Sequence, residues 1–414
     1  MYQIGDEITI EAHELVAGGA ALAKVDGFPI FAFNLFPGDV GLVRLYEIKK
    51  GFGRAELVRL EKAGPLRRAQ PCPVAEDCGG CDWTALRLDA QLQAKERILS
   101  ESLRRIAKFD PSKLPAIAIH PSPLNYRLRS RLHREGDTVG FYAMRSNRVV
   151  PLARQCEVVG TLTAERFGTP AMNDDDAAAR TRALGLIPSR SVRAAAKFEA
   201  GAAHPDQTGV DATDERFADP DIWEIDGALR TEGEVTITVE KYTYQLSTSA
   251  FFQVNRHLLG TLIRLVSAHA SRSTERRAAL DLYAGVGFFT APLADFFRRV
   301  TAVEGSSVAH HYAKRNAPRN AKLVRAPVES WPMREADFIF LDPPRAGAQR
   351  EVIDRISVNA RAIICYLSCD PVTFSRDAAR LTASGWRLSS LDLLDFFPNT
   401  HHVETLASFE RASG

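Results

Sequence analysis

The chain has 414 residues, 45% of them hydrophobic and 25% charged, a composition typical of a soluble globular protein with more than one domain. The N-terminus lacks the basic start and apolar core of a signal peptide, and no window approaches the roughly 20 apolar residues of a membrane span. We therefore expect a cytoplasmic protein without a membrane partner. The net charge of +2 neither favours nor excludes nucleic acid.

Residues 1–62 alternate apolar and polar side chains between closely spaced Gly and Asp turns. This pattern predicts a small N-terminal β-barrel of the OB-like kind. Such barrels often bind single-stranded or looped RNA. A purely structural barrel is the alternative that the pattern leaves open.

A cysteine-bearing segment opens the predicted central domain, residues 63–250. Three cysteines follow a C-x5-C-x2-C spacing, and a fourth lies far downstream: Cys72, Cys78, Cys81 and Cys156. Disulfides are not expected in a cytoplasmic protein. Four thiolates suit zinc or an iron–sulfur cluster, and the absence of two C-x2-C knuckles favours the cluster.

The same central region carries a local excess of positive charge. Residues 61–160 hold 17 Lys and Arg against 11 Asp and Glu. Arg127, Arg129 and Arg131 alternate, which predicts a stripe on one strand face suited to phosphates, with an ordinary solvated face as the alternative. A polar, alanine-rich stretch at 171–222 interrupts the strands and is interpreted as a surface excursion.

From residue 251 to 414, helices alternate with apolar strands, which predicts a doubly wound α/β domain. In "LDLYAGVGFFT", Gly285 and Gly287 allow a tight turn from a strand into a helix, where a ligand can approach the backbone. Glu304 ends the next strand and can accept ribose hydroxyls of NAD or S-adenosylmethionine. Thr290 replaces the third glycine of a dinucleotide motif, and "DPPR" follows, so the set favours a class I methyltransferase.

Cys369 follows an apolar strand in "YLSCDP" and would, taken alone, be a buried structural thiol, as Cys365 is expected to be. Beside a methyl donor it has a chemical use. A thiolate that adds to carbon 6 of uracil makes carbon 5 an electron-rich enolate carbon, which can take a methyl group. A base must then remove the proton on carbon 5, and Glu404 in "FFPNTHHVE" is the candidate.

Five segments resemble, in order and spacing, the motifs of the RNA uracil-5-methyltransferases: "FFQVN", "DLYAGVGFFT", "LDPPRAG", "YLSCDP" and "FFPNTHHVE". The resemblance covers essentially the whole chain. It implies that residues 1–62 are a TRAM barrel that holds RNA, and that the four cysteines bind a [4Fe–4S] cluster, as in the ribosomal-RNA branch. The transfer-RNA branch usually lacks both features.

The resemblance also implies roles for single residues. Cys369 would be the nucleophile and Glu404 the base. The S-adenosylmethionine site would comprise Gln253, Tyr283, Gly285, Gly287, Phe288, Glu304 and Asp342. Phe288 stands where the family often has Asn, and Asp370 where it commonly has Asn. A carboxylate at 370 could disfavour the thiolate or hydrogen-bond the base.

We predict a monomeric enzyme that methylates carbon 5 of a uridine in RNA, with 23S ribosomal RNA as the leading substrate. Transfer RNA is the alternative within the family. An RNA cytosine-5 methyltransferase is disfavoured because such enzymes usually pair a Pro-Cys with a second catalytic cysteine, and the Pro-Cys here, at Cys72, lies in the cysteine segment. A catalytically inactive RNA-binding protein is the alternative from a different class.

Overall fold

The computed structural model describes residues 2–136, 138–160, 222–225, 228–230 and 233–411. The strands in these ranges form four sheets, of six, five, two and eight strands. Most of the predicted 171–222 excursion lies outside the described residues.

The N-terminal region forms the six-stranded sheet. Its strands are β1 (Glu7–Glu11), β2 (Glu14–Leu15), β3 (Ala21–Val25), β4 (Phe28–Phe33), β5 (Val40–Lys49) and β6 (Phe52–Lys62). Their order is β1-β5-β6-β4-β3-β2, antiparallel except for the parallel pair β4–β6. Alternate apolar side chains such as Ile30, Ala32 and Val43 are buried, as the period of two requires.

The prediction of a closed barrel is not confirmed. Within the described residues the strands pair in one open order, with β1 and β2 at the two edges. Closure requires the edge strands to pair with each other, and β2, with two residues, pairs with β3. Buried Asp39 ties the sheet to the next segment, because its carboxylate accepts hydrogen bonds from the Gly64 amide and the Arg67 guanidinium.

The following region supplies a long helix and two smaller sheets. It contains α1 (Leu88–Arg105) and a 3-10 turn at Pro111–Lys113. The five-stranded sheet has the order β10-β9-β8-β11-β12, and a separate hairpin pairs β13 with β14. The strands are β8 (Arg129–Glu135), β9 (Thr138–Tyr142), β10 (Val149–Pro151), β11 (Ile222–Ile225), β12 (Ala228–Arg230), β13 (Glu234–Val239) and β14 (Tyr242–Ser247). The predicted boundaries near residues 62 and 250 stay predictions.

The predicted arginine stripe is wrong. Arg129 is 6% exposed, and its guanidinium donates to the backbone carbonyls of Thr248 and Ala250. Arg127 precedes β8 and lies over the Phe141 ring, 5.2 Å from its centroid. The alternation in the sequence is real, but β8 is packed against the segment that follows β14, so Arg129 satisfies buried carbonyls instead of facing solvent.

The C-terminal region forms the eight-stranded sheet, in the order β17-β16-β15-β18-β19-β21-β20-β7. All neighbours are parallel except β21, which is antiparallel to both β19 and β20. The strands are β7 (Ile117–His120), β15 (Ala278–Leu282), β16 (Arg299–Glu304), β17 (Ala321–Arg325), β18 (Ala336–Leu341), β19 (Ala360–Ser368), β20 (Trp386–Leu394) and β21 (Glu404–Arg411). The strand order reverses between β15 and β18, and ligands of such sheets bind at this point.

Helices cover both faces of this sheet, as the predicted doubly wound fold requires. They are α2 (Leu259–Ser271), α3 (Thr290–Ala294), α4 (Ser307–Asn316), α5 (Arg350–Asn359) and α6 (Pro371–Ala383). Ile364 and Tyr366 pack into one core with α1, α5 and α6, whereas Cys365 and Leu367 pack into the opposite core with α2. No helix in the described ranges is long and apolar enough to cross a bilayer.

Candidate active site

Four predicted site residues lie at the carboxyl edge of the large sheet because each ends or follows a parallel strand. Leu282 pairs with Leu341, and Leu341 with Tyr366, so the ends of β15, β18 and β19 lie side by side. Tyr283, Asp342 and Cys369 therefore project from one edge, and Glu304 ends β16 beside them. This edge is the crevice at the reversal of strand order.

The turn after β15 is built for close approach of a ligand. Gly285 and Gly287 have φ of +56° and +89°, in the left-handed region that favours glycine. A Cβ on Gly285 would meet no atom within 4 Å, so the space beside this turn is open. The Gly285 amide donates to Glu304 Oε2 at 2.8 Å and the Ser306 amide to Oε1 at 2.6 Å, which fixes the Glu304 carboxylate at the crevice.

Below the turn lies a buried carboxyl, Asp281, which was not among the predicted site residues. Asp281 is fully buried, and its Oδ2 accepts from Thr290 Oγ1 at 2.5 Å. Its Oδ1 has no hydrogen-bond partner among the described residues. Burial, and secondarily the charge of Glu304, raise the pKa of Asp281 to about 7, against the lowering effect of the Thr290 hydrogen bond. Its place at the head of the glycine motif was the available signal.

Gln253 and Asp342 are brought together across the crevice. Gln253 Nε2 donates to Asp342 Oδ2 at 3.0 Å, and Gln253 is 8% exposed. Burial raises the pKa of Asp342 to about 7, with a further increase from Asp281 and an opposing effect of the Gln253 hydrogen bond. The carboxyl group of Asp342 is largely shielded from water, but the residue as a whole is only partly buried. Partial exposure is expected at the mouth of a crevice.

Cys369 and Glu404 are neighbours because of strand register. Ser368 pairs with Thr405 in the antiparallel β19–β21 ladder, so the next residue of each strand end lies opposite the other. Glu404 is 4% exposed, and Cys369 is half-buried. Burial and the nearby Asp342 raise the pKa of Glu404 well above its usual value. Burial, then the charge of Glu404, raise the pKa of the Cys369 thiol.

Arg345, the arginine of "DPPR", supplies positive charge at this site, a role that the sequence pattern does not indicate. Its charge lowers the pKa of both Cys369 and Glu404. Arg345 Nη2 lies 3.4 Å from His402 Nε2. Asp370, in turn, is the N-cap of α6, because its Oδ1 accepts from the Thr373 amide at 2.7 Å. Its carboxylate is a minor contributor to the raised pKa of Cys369.

Two residues that were predicted to contact S-adenosylmethionine, Phe288 and Tyr283, contact other residues of the protein. The Phe288 side chain is 5% exposed and packs among the rings of Tyr244, Phe252 and Phe289, in the core under the turn. Tyr283 has φ of +60°, and its hydroxyl donates to Glu329 Oε1 at 2.9 Å. Contact of either side chain with a methyl donor stays a prediction.

The four remaining predicted site residues lie elsewhere, around one pocket. Cys72, Cys78, Cys81 and Cys156 line it together with apolar side chains such as Val74, Phe141 and Leu152. Burial raises the pKa of Cys78 to about 11 and that of Cys81 well above its usual value. The Gly80 amide donates to Cys78 Sγ at 3.4 Å, and the charge of Arg127 favours both thiolates.

The donor set of this pocket suits a thiophilic group. Four thiols in an apolar wall are chemically matched to zinc or to iron–sulfur. Within the described ranges, however, no three His, Cys, Asp or Glu side chains are grouped so as to hold a single metal ion. The pocket nevertheless brings together four thiols, the donor set that either group requires.

Comparison with known proteins identifies relatives along nearly the whole chain. A family model described as tRNA (Uracil-5-)-methyltransferase matches residues 230–412. The 23S rRNA (uracil(1939)-C(5))-methyltransferase RlmD of Pseudomonas putida is 30% identical, over 98% of this chain and 94% of its own length. An uncharacterised RNA methyltransferase of Gloeobacter violaceus is 29% identical, over 99% of this chain and 97% of its own.

A solved structure is similar in fold. It is the Pyrococcus abyssi tRNA (uracil-54, C5)-methyltransferase in complex with S-adenosyl-L-homocysteine, with a TM-score of 0.65 and 22% identity. The likeness covers 97% of this chain and 100% of that one. It confirms the predicted class I methyltransferase fold.

The predicted family is confirmed, whereas the cluster and the roles of single residues stay predictions. The strand order of the large sheet, with its crevice between β15 and β18, is consistent with the methyltransferase activity for which the matching family is named. With 30% identity to a 23S rRNA enzyme along 98% of its length, this chain belongs to the RNA uracil-5-methyltransferases, a family of enzymes that depend on S-adenosylmethionine.

Proposed function

We propose that this enzyme methylates carbon 5 of one uridine in large-subunit ribosomal RNA, with Cys369 as nucleophile and Glu404 as base. The observation that carries the proposal is the opposition of Cys369 and Glu404 at the crevice of a methyltransferase sheet. Relatives named as 23S rRNA enzymes that match along the whole chain support the RNA class. Transfer RNA is the substrate class to test beside it, because the Pyrococcus abyssi enzyme acts on tRNA.

The proposed reaction begins with addition to the base. Cys369 reacts as its thiolate: its sulfur bonds to carbon 6 of the uracil, while the electrons of the 5,6 double bond move onto the carbonyl oxygen at carbon 4. The positive charge of Arg345 opposes the effect of the surrounding carboxylates on the thiolate. The target base must be unstacked, because attack on carbon 6 comes from the ring face.

Methyl transfer and release follow. Bound S-adenosylmethionine supplies an electrophilic methyl group, which carbon 5 takes. Glu404 as carboxylate then removes the remaining proton on carbon 5, the 5,6 double bond re-forms, and the bond from Cys369 to carbon 6 breaks. Glu304, held by two backbone amides, is suited to the ribose hydroxyls of the donor. Asp342, hydrogen-bonded to Gln253, follows β18, the strand between those that lead to the donor turn and to Cys369.

Replacement of the base tests this proposal. Glu404→Gln should allow addition and methyl transfer but block release, so a covalent protein–RNA complex should accumulate on denaturing gels. Cys369→Ala should form none. Ribosomal RNA and transfer RNA fragments are offered separately, and the substrate class is the one that gives the complex. Normal turnover by Glu404→Gln, or activity of Cys369→Ala, would contradict the mechanism.

We also propose that the four-cysteine pocket holds a [4Fe–4S] cluster. The C-x5-C-x2-C spacing with a distant Cys156 differs from the paired C-x2-C knuckles of a zinc ribbon. In a [4Fe–4S] cluster each thiolate binds a different iron, and the pocket brings four thiols together. Anaerobic purification, absorption spectroscopy and metal analysis test this. A colourless protein that contains zinc would overturn it.

The N-terminal sheet is proposed to contact the RNA substrate. The rings of Phe31 and Phe52 lie 5.6 Å apart on its surface. Lys49 Nζ and the Arg54 guanidinium each lie 5.8 Å from the Phe52 ring. Aromatic rings beside cations are suited to stack bases and attract phosphates. We also propose that the enzyme is a monomer. Light scattering with and without RNA measures its oligomeric state.

A further inference from the structure

The loop at 395–403 leads directly into the proposed base, Glu404, and α1 holds the start of this loop. Lys95 is fully buried, and its Nζ lies 2.6 Å from Asp395 Oδ1 and donates to the Phe397 carbonyl at 2.9 Å. A buried ion pair with an extra hydrogen bond tolerates little displacement, because movement would leave a charge unpaired.

Asn399, in the middle of this loop, has every polar group occupied. It is fully buried with φ of +66°, a conformation that Asn tolerates better than most residues. Its backbone amide donates to Gln91 Oε1 at 2.7 Å. Its backbone carbonyl accepts hydrogen bonds from the backbone amides of Asp82 and Trp83, at 3.2 and 3.0 Å. These two residues immediately follow the cysteine segment.

The side chain of Asn399 reaches the wall of the cysteine pocket. Nδ2 donates to Glu157 Oε2 at 2.9 Å, and Oδ1 accepts from Arg68 at 3.0 Å. Arg68 also pairs with Glu157 at 2.6 Å. Asn399 and Glu157 both line the pocket with Cys156, and together with the partly buried Arg68 they form one hydrogen-bonded group beside it.

A second attachment lies closer to Glu404. The His401 amide donates to Asp82 Oδ1 at 3.1 Å, and His401 Nδ1 lies 2.6 Å from Asp82 Oδ2. The backbone of Gly19 packs against this pair, and a Cβ there would lie 2.6 Å from Asp82 Oδ2. The chain between Asn399 and Glu404 is therefore held at both 399 and 401 by Asp82 and, at 399, also by Trp83, the two residues that follow Cys81.

We propose that Asn399 is a positioning residue for Glu404 and that it couples the four-cysteine pocket to the proton-removal step. This inference rests on the proposed role of Glu404. Both β19 and β21 are paired on both sides, but the chain enters Glu404, the first residue of β21, directly from the anchored loop, whereas Cys369 leads into the N-cap of α6. A shift of the loop should therefore displace the base more than the nucleophile.

A carboxylate swap tests the role of Asn399. Asn399→Asp keeps the size and the backbone preference but places a carboxylate against Glu157. We expect it to slow release of methylated RNA by about tenfold or more, because small misplacements of a catalytic group cost that much, and to leave adduct formation within about threefold. In the double variant with Glu157→Gln, the new glutamine amide can donate to the new aspartate carboxylate, and that carboxylate can pair with Arg68. Release should therefore return to near the original rate.

Single-turnover assays on denaturing gels measure the two steps, and iron content and the thermal midpoint are measured for every variant. A selective defect in release, with normal iron content and rescue by Glu157→Gln, supports the inference. Equal slowing of addition and release, release at the original rate, or failure of the double variant would overturn it.

A separate variant tests the coupling between the four-cysteine pocket and the proton-removal step. Cys156→Ser should lower the iron content and slow release more than addition, as Asn399→Asp does. Loss of iron with unchanged release would overturn the coupling. Glu404→Gln is run beside these variants. If it accumulates no adduct, the proposed function falls and this inference with it; if it does and Asn399→Asp does not, only the inference falls.

Discussion

The sheet-edge site and the four-cysteine pocket differ in how the fold builds them. At the sheet edge, Glu304, Asp342 and Cys369 each stand where a parallel strand ends, so topology alone brings them together. The pocket draws Cys72 and Cys156 from loops far apart in the chain, and among the described residues no strand ladder sets their spacing. A site at strand ends follows from strand order, whereas a loop-built site depends on side-chain contacts and on its ligand.

The two sites also differ in charge. The sheet edge concentrates carboxyls, and burial raises the pKa of Asp281, Asp342 and Glu404. The pocket concentrates thiols in an apolar wall, where burial raises the pKa of Cys78 and Cys81. Protons can move on and off carboxyls near neutral pH, which suits acid–base catalysis. Buried thiols become thiolates when a metal binds.

The largest expected effect separates the two cysteines of one strand. Cys369→Ala should reduce turnover by at least about a thousandfold, because addition to carbon 6 loses its nucleophile. Cys365→Ala is the matched control, since Cys365 is fully buried in the core on the same strand and should affect stability only. Steady-state methylation of RNA measures both. Equal activities of the two variants would contradict the distinction.

The next effect concerns the loop that joins the two sites. Lys95→Met should lower the free energy of unfolding by about 3–5 kcal/mol, because it leaves the Asp395 carboxylate buried without its partner. Adding Asp395→Asn should recover much of the loss by removing the unpaired charge. Urea unfolding measures both variants. A loss below about 1 kcal/mol for Lys95→Met would show that the pair does not anchor the loop.

Asp281, one of the buried carboxyls at the sheet edge, should make the free energy of unfolding depend on pH. Its pKa rises on folding to about 7, so the protonated form is favoured in the folded state. Its contribution to stability is full below the ordinary pKa and is lost as pH rises to about 7. Between pH 5 and 8 the free energy of unfolding should fall by about 3 kcal/mol relative to Asp281→Asn. Parallel pH curves for the two proteins would contradict this.

The smallest expected effect is the pH dependence of release. Glu404 must be ionised to take the proton, and its pKa is raised by burial and by Asp342. The release rate should therefore increase about tenfold per pH unit below that pKa. Adduct is formed at one pH and transferred to others, so that the addition step does not contribute. A flat profile would remove Glu404 from the role of base.

Local pattern was sufficient for the elements and for the strand-end residues. The apolar runs that end at Glu304, Asp342 and Cys369 have no polar alternation, so parallel strands and a common edge follow from them. Glu404 needed more, because its neighbour across the ladder depends on the register of Ser368 with Thr405. From the sequence, Glu404 was a candidate because the chemistry requires a base, and the resemblance to a family implied the same role, but neither showed that it lies beside Cys369.

Other features depend on contacts that no local pattern contains. Arg129 alternates like a surface residue but meets carbonyls of Thr248 and Ala250, more than a hundred residues away in the chain. The barrel prediction is not confirmed among the described residues, because closure depends on pairing between edge strands and not on alternation within strands. Asn399 looks like an ordinary loop residue, and its role is visible only when Gln91 and Glu157 are in place.

The most direct test is to identify the bond itself. Glu404→Gln is incubated with its RNA substrate and S-adenosylmethionine, digested, and analysed by peptide mass spectrometry. The account predicts one cross-linked peptide, joined through Cys369 to a uridine that carries the added methyl group. Attachment through a pocket cysteine such as Cys81, or a uridine without the methyl group, would contradict the assignment of nucleophile and base.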